Sequence, residues 1–321
     1  MKSTASICAL LFAIGLANPQ PAAAQFSVQP ITGGIYIVKF TTGTFNMNNL
    51  LVVDPAGVVL VDTLPTLQTL TPPFALYFPF SGIIASITDG RPVDTIINTS
   101  WHFDHVGLND KFRTLGGTEQ ILAHWRVGSY LDEAHCNPDF PPPADCTPAY
   151  PAPESQPTVG IRGRGLLELQ NERMSLKTVE NAHGGADLFV YLETANIVYT
   201  GDVYFGGIYP IIDRLGGGTL NGTLASLRKI LALIDDDTIV VPSHGALGHR
   251  SDLVEFVEML EWYRWQIRQL IASGYTEEQV MNDPMFAALD EQWANPGVSH
   301  IIEGPQFRRI LYRDLAPQEG K

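Results

Sequence analysis

The sequence has little cysteine, little positive charge and, beyond its first residues, no long apolar run. Its three cysteines show no Cys-x-x-Cys spacing, so they do not indicate a metal site. The 20 Lys and Arg residues against 34 Asp and Glu give a formal charge of −14, which disfavours nucleic acid and anionic membranes as partners. A Gly-x-Ser-x-Gly motif and a glycine-rich phosphate loop are absent, and no Ser-His-Asp arrangement is evident.

The N-terminus has the pattern of an export signal. Lys2 provides positive charge, residues 7–17 are apolar, and Ala22-Ala-Ala24 fits the small-residue cleavage rule. We therefore predict a signal peptide over residues 1–24 and a periplasmic or secreted protein that spans no membrane after cleavage. An uncleaved anchor is the alternative, but the apolar run is too short to cross a bilayer. Because the signal holds one lysine and no acid, the mature charge is −14 − 1 = −15.

Two cysteines remain after cleavage. Cys136 and Cys146 lie in a proline-dense stretch, whereas Cys8 leaves with the signal. An oxidising compartment favours a disulfide between the two. A pair of free thiols is the alternative.

Four short segments carry side chains that can bind a metal ion. Each follows an apolar stretch that we predict to be a β-strand, so each lies on the loop after a strand. The segments are Thr99-Ser-Trp-His-Phe-Asp-His-Val-Gly107, Asn181-Ala-His183, Thr200-Gly-Asp202 and Pro242-Ser-His244-Gly245. Their candidate ligands are His102, Asp104, His105, His183, Asp202 and His244.

Imidazole and carboxylate ligands suit zinc or a related metal such as iron or manganese. Six candidates are too many for one tetrahedral ion and about right for a two-metal site. We expect His102 and His105 to lie in a turn that ends at Gly107, not in a helix, so that neighbouring side chains can face two ions. The other histidines of the mature chain are more simply core or surface residues; they are His124, His135, His249 and His300.

These segments resemble the motifs of the metallo-β-lactamase superfamily, whose first motif is His-x-His-x-Asp-His. The similarity runs from about Ile35 to Leu260. The resemblance implies that His102 and His183 hold a first metal, that Asp104, His105 and His244 hold a second, and that Asp202 bridges them. Ser100 stands where the family has its first histidine, so the first site is weakened. The implied cofactor is Zn²⁺, with one or two ions per chain.

The order of predicted elements indicates an α/β (α+β) fold. Alternating apolar residues over 34–63 predict paired strands, and helical spacing predicts helices over 220–234 and 252–271, the second capped by Asp252 and Glu255. This order is consistent with two sheets packed face to face under outer helices. The resemblance implies a four-layer αβ/βα sandwich of two mixed β-sheets. We expect a single domain over residues 25–321, with a proline-rich surface loop at 134–158; a linker between domains is the alternative.

Residues near the motifs have weaker claims to a role. Asp187 follows His183-Gly-Gly-Ala and is a candidate hydrogen-bond acceptor for a ligating histidine, although an ordinary strand-edge aspartate explains it equally well. Tyr204, Tyr209 and Asp213 follow Asp202 and are candidates for lining the pocket.

The expected chemistry is hydrolysis of a small-molecule substrate by a metal-activated hydroxide. By family analogy Asp104 touches both metal and nucleophile, which makes it the candidate catalytic residue. The β-lactamases of the superfamily usually have Cys or Ser at the bridging position, whereas its glyoxalase II, lactonase and esterase branches have Asp, as in Asp202. We therefore expect an exported hydrolase of carboxylic esters, thioesters or lactones. The alternatives are β-lactam hydrolysis and a degenerate, zinc-binding protein without turnover; no oligomeric state is indicated.

Overall fold

The computed structural model describes residues 25–42, 45–66, 75–139, 146–294 and 302–317. The predicted signal peptide and His300 lie outside these residues. The division into a signal and one mature domain therefore stays a prediction.

The first sheet is mixed and is built mainly from the N-terminal half of the described chain. Its strands, in spatial order, are β1 (Gln25–Thr32), β2 (Ile35–Thr41), β3 (Asn46–Asp54), β4 (Gly57–Val61), β5 (Thr95–Asn98), β6 (Gln120–His124) and β9 (Val159–Ile161). The strands β1 to β4 pair antiparallel, and β4, β5, β6 and β9 pair parallel. Asp54 pairs with Gly57 across the turn that joins β3 to β4.

The second sheet contains the strands that precede the later motifs. Its order is β10 (Arg164–Glu168), β11 (Arg173–Val179), β12 (Asp187–Leu192), β13 (Ile197–Gly201) and β14 (Ile239–Pro242). All neighbours pair antiparallel except β13 and β14, which are parallel. A parallel pair places the carboxyl ends of its strands at one edge, so the residues after β13 and β14 emerge together.

Helices cover the outer faces of both sheets. They are α1 (Tyr77–Ile87), α2 (Phe103–Val106), α3 (Asn109–Thr114), α4 (Val127–Leu131), α5 (Leu220–Leu231), α6 (Arg250–Ala272), α7 (Glu277–Met281), α8 (Ala287–Trp293) and α9 (Gly304–Leu315). None of the helices in the described ranges combines the length and apolar character needed to cross a bilayer.

Three apolar clusters arrange the elements into four layers. The central cluster joins inner faces of the two sheets and includes Ile37 and Val61 of the first and Leu176 and Val190 of the second. Side chains alternate along a strand, so the opposite faces form two outer clusters, one against α1 and α3 and the other against α5, α6 and α9. The predicted sandwich of two mixed sheets under outer helices is confirmed.

Two local predictions were wrong. His105 lies in the one-turn helix α2 and His102 caps it, instead of both lying in an irregular turn. Helix α6 begins at Arg250, earlier than predicted. His249 is its N-cap residue and Asp252 is the second residue of its capping box, so the predicted pair of Asp252 and Glu255 does not form the cap. Asp252 accepts from the His249 backbone amide at 2.7 Å, which gives this helix a defined start two residues before the predicted one.

The proline-rich segment is held against the fold. It contains β7 (His135–Cys136) and β8 (Cys146–Thr147), which pair with each other. The Tyr150 amide donates to Leu131 O at 2.7 Å, and the buried Asn109 side chain donates to Ser155 O at 3.1 Å. The described parts of this segment are thus anchored on α3 and α4.

The predicted Cys136–Cys146 disulfide is present. Replacing both cysteines by serine should lower Tm by roughly 5 °C, because a loop of about eleven residues contributes at most about 2–3 kcal/mol through chain entropy. Thermal unfolding followed by circular dichroism measures this change. Wild-type protein with its disulfide reduced should have the same Tm as the variant. A Tm equal to that of the oxidised wild type in both samples would contradict the prediction.

Candidate metal centre

All four sequence motifs emerge at one edge of the sandwich. The first follows β5, and the others follow β11, β13 and β14, as the sequence predicted. Gly201, at the end of β13, has a φ of +56°, and a Cβ there would lie 2.6 Å from Thr99 Oγ1. Glycine therefore lets the two sheets approach closely at this edge and directs the next residue, Asp202, into the space between them.

Asp202 lies at the centre of the site. Its Oδ2 is 3.2 Å from His105 Nε2 and 3.4 Å from His183 Nε2, and its Oδ1 is 3.6 Å from His244 Nε2. Asp104 Oδ2 adds a contact of 3.1 Å to His244 Nε2. One buried carboxylate thus faces three imidazoles that come from three different segments of the chain.

Within the described part of the chain, one cluster of side chains contains at least three residues that could bind the same metal ion. Its members are Asp104, His105, Asp202 and His244, whose ligand atoms all lie within 4.8 Å of one another. All four side chains are buried, and Asp202 Oδ1 has no hydrogen-bond partner among the described residues. A buried carboxylate oxygen without a donor is costly unless a cation satisfies it, so the donor set fits a divalent metal.

The far ring nitrogens of three histidines are held by hydrogen bonds. His105 Nδ1 is 2.9 Å from Asp62 Oδ2, His183 Nδ1 is 2.9 Å from Ile211 O, and His244 Nδ1 is 2.6 Å from Asn46 O. Each oxygen accepts a hydrogen bond from Nδ1–H, which leaves Nε2 as the nitrogen that faces Asp202 and that can bind a metal ion when it carries no proton. Metal-binding histidines have this arrangement.

The fourth histidine, His102, uses its nitrogens the other way round. Its Nε2 is 3.0 Å from Asp213 Oδ2, and its Nδ1 points inward, 2.8 Å from Ser100 Oγ and 3.1 Å from His183 Nε2. Asp213 is held in turn by Asn137 Nδ2, which donates to it at 2.7 Å. The structure therefore brings all six predicted ligands and Ser100 into one region.

The charges of the site shift several pKa values. Burial alone would raise the pKa of Asp202, but the His105 and His244 rings outweigh it and hold that pKa far below its usual value. Burial likewise favours neutral imidazoles, yet the surrounding carboxylates raise the pKa of His105 well above its usual range and raise that of His244. For His183, burial and the neighbouring His102 together lower the pKa.

Metal binding at this site should release protons. The neighbouring carboxylates raise the pKa values of His105 and His244 in the metal-free protein and so favour their protonated forms, whereas a ligating imidazole must be neutral. Affinity should thus fall as the pH is lowered through these pKa values. Calorimetric zinc titrations at pH 7 in two buffers of different ionisation enthalpy should show release of about one proton or more per ion. His244→Ala should reduce the number released, and identical enthalpies in both buffers would contradict the prediction.

Three of the weaker sequence assignments are corrected by the geometry. Asp187 accepts from the Gly184 amide at 2.8 Å and its other oxygen has no hydrogen-bond partner among the described residues, so it orients a loop and not a histidine ring. Tyr204 packs against Phe256 in the outer cluster, away from the ligands. Tyr209 is buried in the same cluster, because the chain after Asp202 passes under α6.

Asp213 holds a histidine instead of lining a pocket. Burial would raise its pKa, but the hydrogen bond and charge of His102 lower it to about 2. The carboxylate is therefore ionised and able to accept from the imidazole at neutral pH.

Sequence reasoning missed Asp62. This fully buried residue follows β4 and accepts from Thr99 N at 2.7 Å and Thr99 Oγ1 at 2.6 Å, in addition to its contact with His105. Its φ of +60° is unusual for a residue other than glycine. The available signal was an acid immediately after an apolar strand, the same pattern that identified the ligands.

Comparison with known proteins supports the family that the motifs resemble. A family model described as the metallo-β-lactamase superfamily matches residues 42–244, more than half of the chain. A search of curated proteins found no match.

Among solved structures, the chain is similar to a metallo-β-lactamase from Pontibacter korlensis, with 16% identity and a TM-score of 0.55 over 74% of this chain and 99% of that one. It is also similar to the DIM-1 metallo-β-lactamase in a crystal exposed to ceftazidime, with 14% identity and a TM-score of 0.53 over 74% of this chain and 97% of that one. At these identities the likeness concerns the fold. The match of the family model, together with the fold, shows that this chain belongs to the metallo-β-lactamase superfamily.

Proposed function

We propose that the protein is a metal-dependent hydrolase, with zinc as its metal, that acts on carboxylic esters, thioesters or lactones. The observation that carries the proposal is the preset orientation of the imidazoles around Asp202. Three Nε2 atoms lie 3.2, 3.4 and 3.6 Å from its carboxylate. The Nδ1 atom of each ring is held by a hydrogen-bond acceptor on the opposite side. Such preorganisation is expected of a site that binds an ion and not of an ordinary buried ion-pair network.

The residues of the site would have separate roles in such a reaction. A bound divalent ion supplies a nucleophilic hydroxide near neutral pH and polarises the substrate oxygen. Asp104, His105, Asp202 and His244 would hold it. Asp104 would be the residue that holds a proton during turnover, by analogy with the family; its Oδ2 lies 3.1 Å from His244 Nε2. Asp62 and the Asn46 carbonyl orient His105 and His244.

Asp202 favours the ester, thioester and lactone class over β-lactams. A carboxylate at the bridging position is typical of the hydrolase branches of the family that cleave these bonds, whereas its β-lactamases usually have Cys or Ser there. The ester, thioester and lactone class and the β-lactams both present a carbonyl carbon to the nucleophile, so the test includes β-lactam hydrolysis as a second possibility. A binding protein without turnover is the third.

The decisive experiment combines metal analysis with a substrate panel. Mature protein loaded with zinc should hydrolyse at least one aryl ester, thioester or lactone faster than nitrocefin, and chelation should abolish that activity. Asp104→Asn should lose activity, while Asp110→Asn, which removes an acid paired with Lys111 outside the cluster, should keep it. Faster turnover of nitrocefin would favour a β-lactamase, and zinc-loaded protein inactive on the whole panel would favour a non-catalytic metal binder.

We also propose that the protein is exported. The Cys136–Cys146 disulfide supports an oxidising compartment, in agreement with the predicted signal peptide. N-terminal sequencing of protein from a periplasmic extract should begin near Gln25. Retention of residues 1–24 in the extracted protein would contradict cleavage.

A further inference from the structure

A cavity of about 480 Å³ lies on the outer face of the second sheet, beside the C-terminal end of α5. Its charged lining residues are all positive: Arg164 of β10, Lys177 of β11 and Lys229 of α5. Phe189 and Leu233, which belong to the outer apolar cluster, supply apolar walls. Among the described residues no aspartate or glutamate lines the cavity, although the chain has 34 acids against 20 Lys and Arg. The cavity is therefore a cationic exception on an acidic protein.

Two of these cations face each other across neighbouring strands. Arg164 is paired with Lys177 in the antiparallel register of β10 and β11, and directly opposite side chains lie on the same face of a sheet. Like charges at such a position destabilise the sheet. At the other end of the same strand pair, Glu168 is opposite Arg173, which is the favourable arrangement. Pairing of the strands thus accounts for Arg173 but not for the two opposed cations.

The three cations also lack an acidic partner within the described ranges. Arg164, Lys177 and Lys229 form no ion pair there, whereas Arg228, the neighbour of Lys229, pairs with Glu261. The negative end of the α5 dipole favours Lys229, which lies in the last helical turn, but it does not account for the like-charge pair on the sheet. Three unbalanced positive charges around one cavity raise the local concentration of anions.

Solutes can reach this cavity from bulk water. Arg164 and Lys229 are exposed, and Lys177 is half-buried. Gly163 also lines the cavity, and a Cβ added there would meet no atom within 4 Å. Because the cations are open to solvent, salt screens them, and the affinity for an anion should fall as the ionic strength rises.

We propose that this cavity binds the phosphoryl group of a small molecule. The Arg164 guanidinium presents a fork of donors that matches two phosphate oxygens, and the two ammonium groups supply the remaining charge for a dianion. The apolar walls suit the carbon body of a phosphate monoester. None of the six candidate metal ligands lines the cavity, so the site is separate from the metal centre and does not depend on the proposed hydrolase function.

Equilibrium dialysis with radiolabelled orthophosphate, at constant ionic strength, tests the site in zinc-loaded mature protein. A zinc centre can itself bind phosphate, so variants assign the bound ions. Arg164→Gln and Lys177→Gln should each weaken binding at the cavity about threefold or more, and the double variant about tenfold or more. His244→Ala, which alters the metal centre, should keep the phosphate of the cavity. Arg173→Gln removes an arginine of the same strand that is paired with acids, and this matched control should also keep it.

Thermal unfolding shows whether the double variant loses a ligand site or its fold. Without phosphate its Tm should equal or exceed that of wild type, because a like-charge pair has been removed. Added phosphate should raise the Tm of His244→Ala but not that of the triple variant Arg164→Gln/Lys177→Gln/His244→Ala. Equal phosphate affinity in wild type and the double variant, or no phosphate bound by His244→Ala, would overturn the proposal.

Competition in His244→Ala distinguishes the two sources of a phosphoryl group. Phenyl phosphate should displace labelled orthophosphate at a lower concentration than unlabelled orthophosphate does, if the apolar walls hold the body of a monoester. Equal potency of the two would assign the cavity to free phosphate. Benzoate has the same ring but a single negative charge, so it should compete about fivefold more weakly than phenyl phosphate or worse. Equal potency of benzoate would overturn the assignment of a phosphoryl group.

Discussion

Replacing Asp202 by Asn should remove most of the bound zinc and lower kcat/KM by roughly a hundred- to a thousandfold, since a metal contributes several kcal/mol of transition-state stabilisation. The Asp202 carboxylate faces three imidazoles within 3.6 Å and has one oxygen without a hydrogen-bond donor in the part of the chain that the structure describes. An amide of the same shape supplies no negative charge to balance a cation. The substitution therefore removes a ligand and the charge at the centre of the cluster together.

Zinc content and steady-state kinetics of Asp202→Asn, measured at the same total zinc concentration as wild type, test this expectation. Asp236→Asn serves as a surface control with the same change of side chain. Retention of a full zinc complement with unchanged kcat/KM would show that Asp202 is not a ligand, and the centre would have to be reassigned.

The ligand motifs were predictable because each depends on local sequence. His183, Asp202 and His244 all follow short apolar strands, and the ends of neighbouring strands meet at one edge of a sandwich. The fold class followed from the same alternation of strands and helices. In both cases the signal lies within about ten residues of the feature that it predicts.

The contacts that orient the ligands were not predictable in this way. Asp62 reaches His105 from another loop, and Asp213 reaches His102 across 111 positions. Such pairs depend on how the two sheets pack, and no local pattern encodes that distance. The assignment of Tyr209 to the pocket was wrong because closeness in sequence does not ensure closeness in space. Tyr209 is near Asp202 in sequence, but its side chain is buried in the core under α6.

Asp62→Ala should destabilise the metal-free protein by about 3 kcal/mol or more, because buried donors that lose their acceptor cost about 1–3 kcal/mol each. The carboxylate accepts from the Thr99 amide, the Thr99 hydroxyl and Tyr199 OH, at 2.7, 2.6 and 3.2 Å, and holds His105 as well. Alanine also tolerates the φ of +60° poorly. Urea unfolding of the metal-free variant measures the loss, and a change below 1 kcal/mol would contradict it.

The substitution Asp62→Asn distinguishes the contribution of the Asp62 carboxylate to stability from its contribution to metal binding. Asparagine tolerates the left-handed backbone and keeps Oδ1 as the acceptor for the Thr99 amide, while the Thr99 hydroxyl can turn to accept from the new amide nitrogen. His105 Nδ1 nevertheless loses its charged acceptor, and loss of such a partner typically lowers metal affinity 10- to 100-fold. Competition of a fluorescent chelator for zinc should reveal this drop in a variant that unfolds near the wild-type urea midpoint. Equal zinc affinity would mean that the Asp62 carboxylate supports the fold without orienting His105 for the ion.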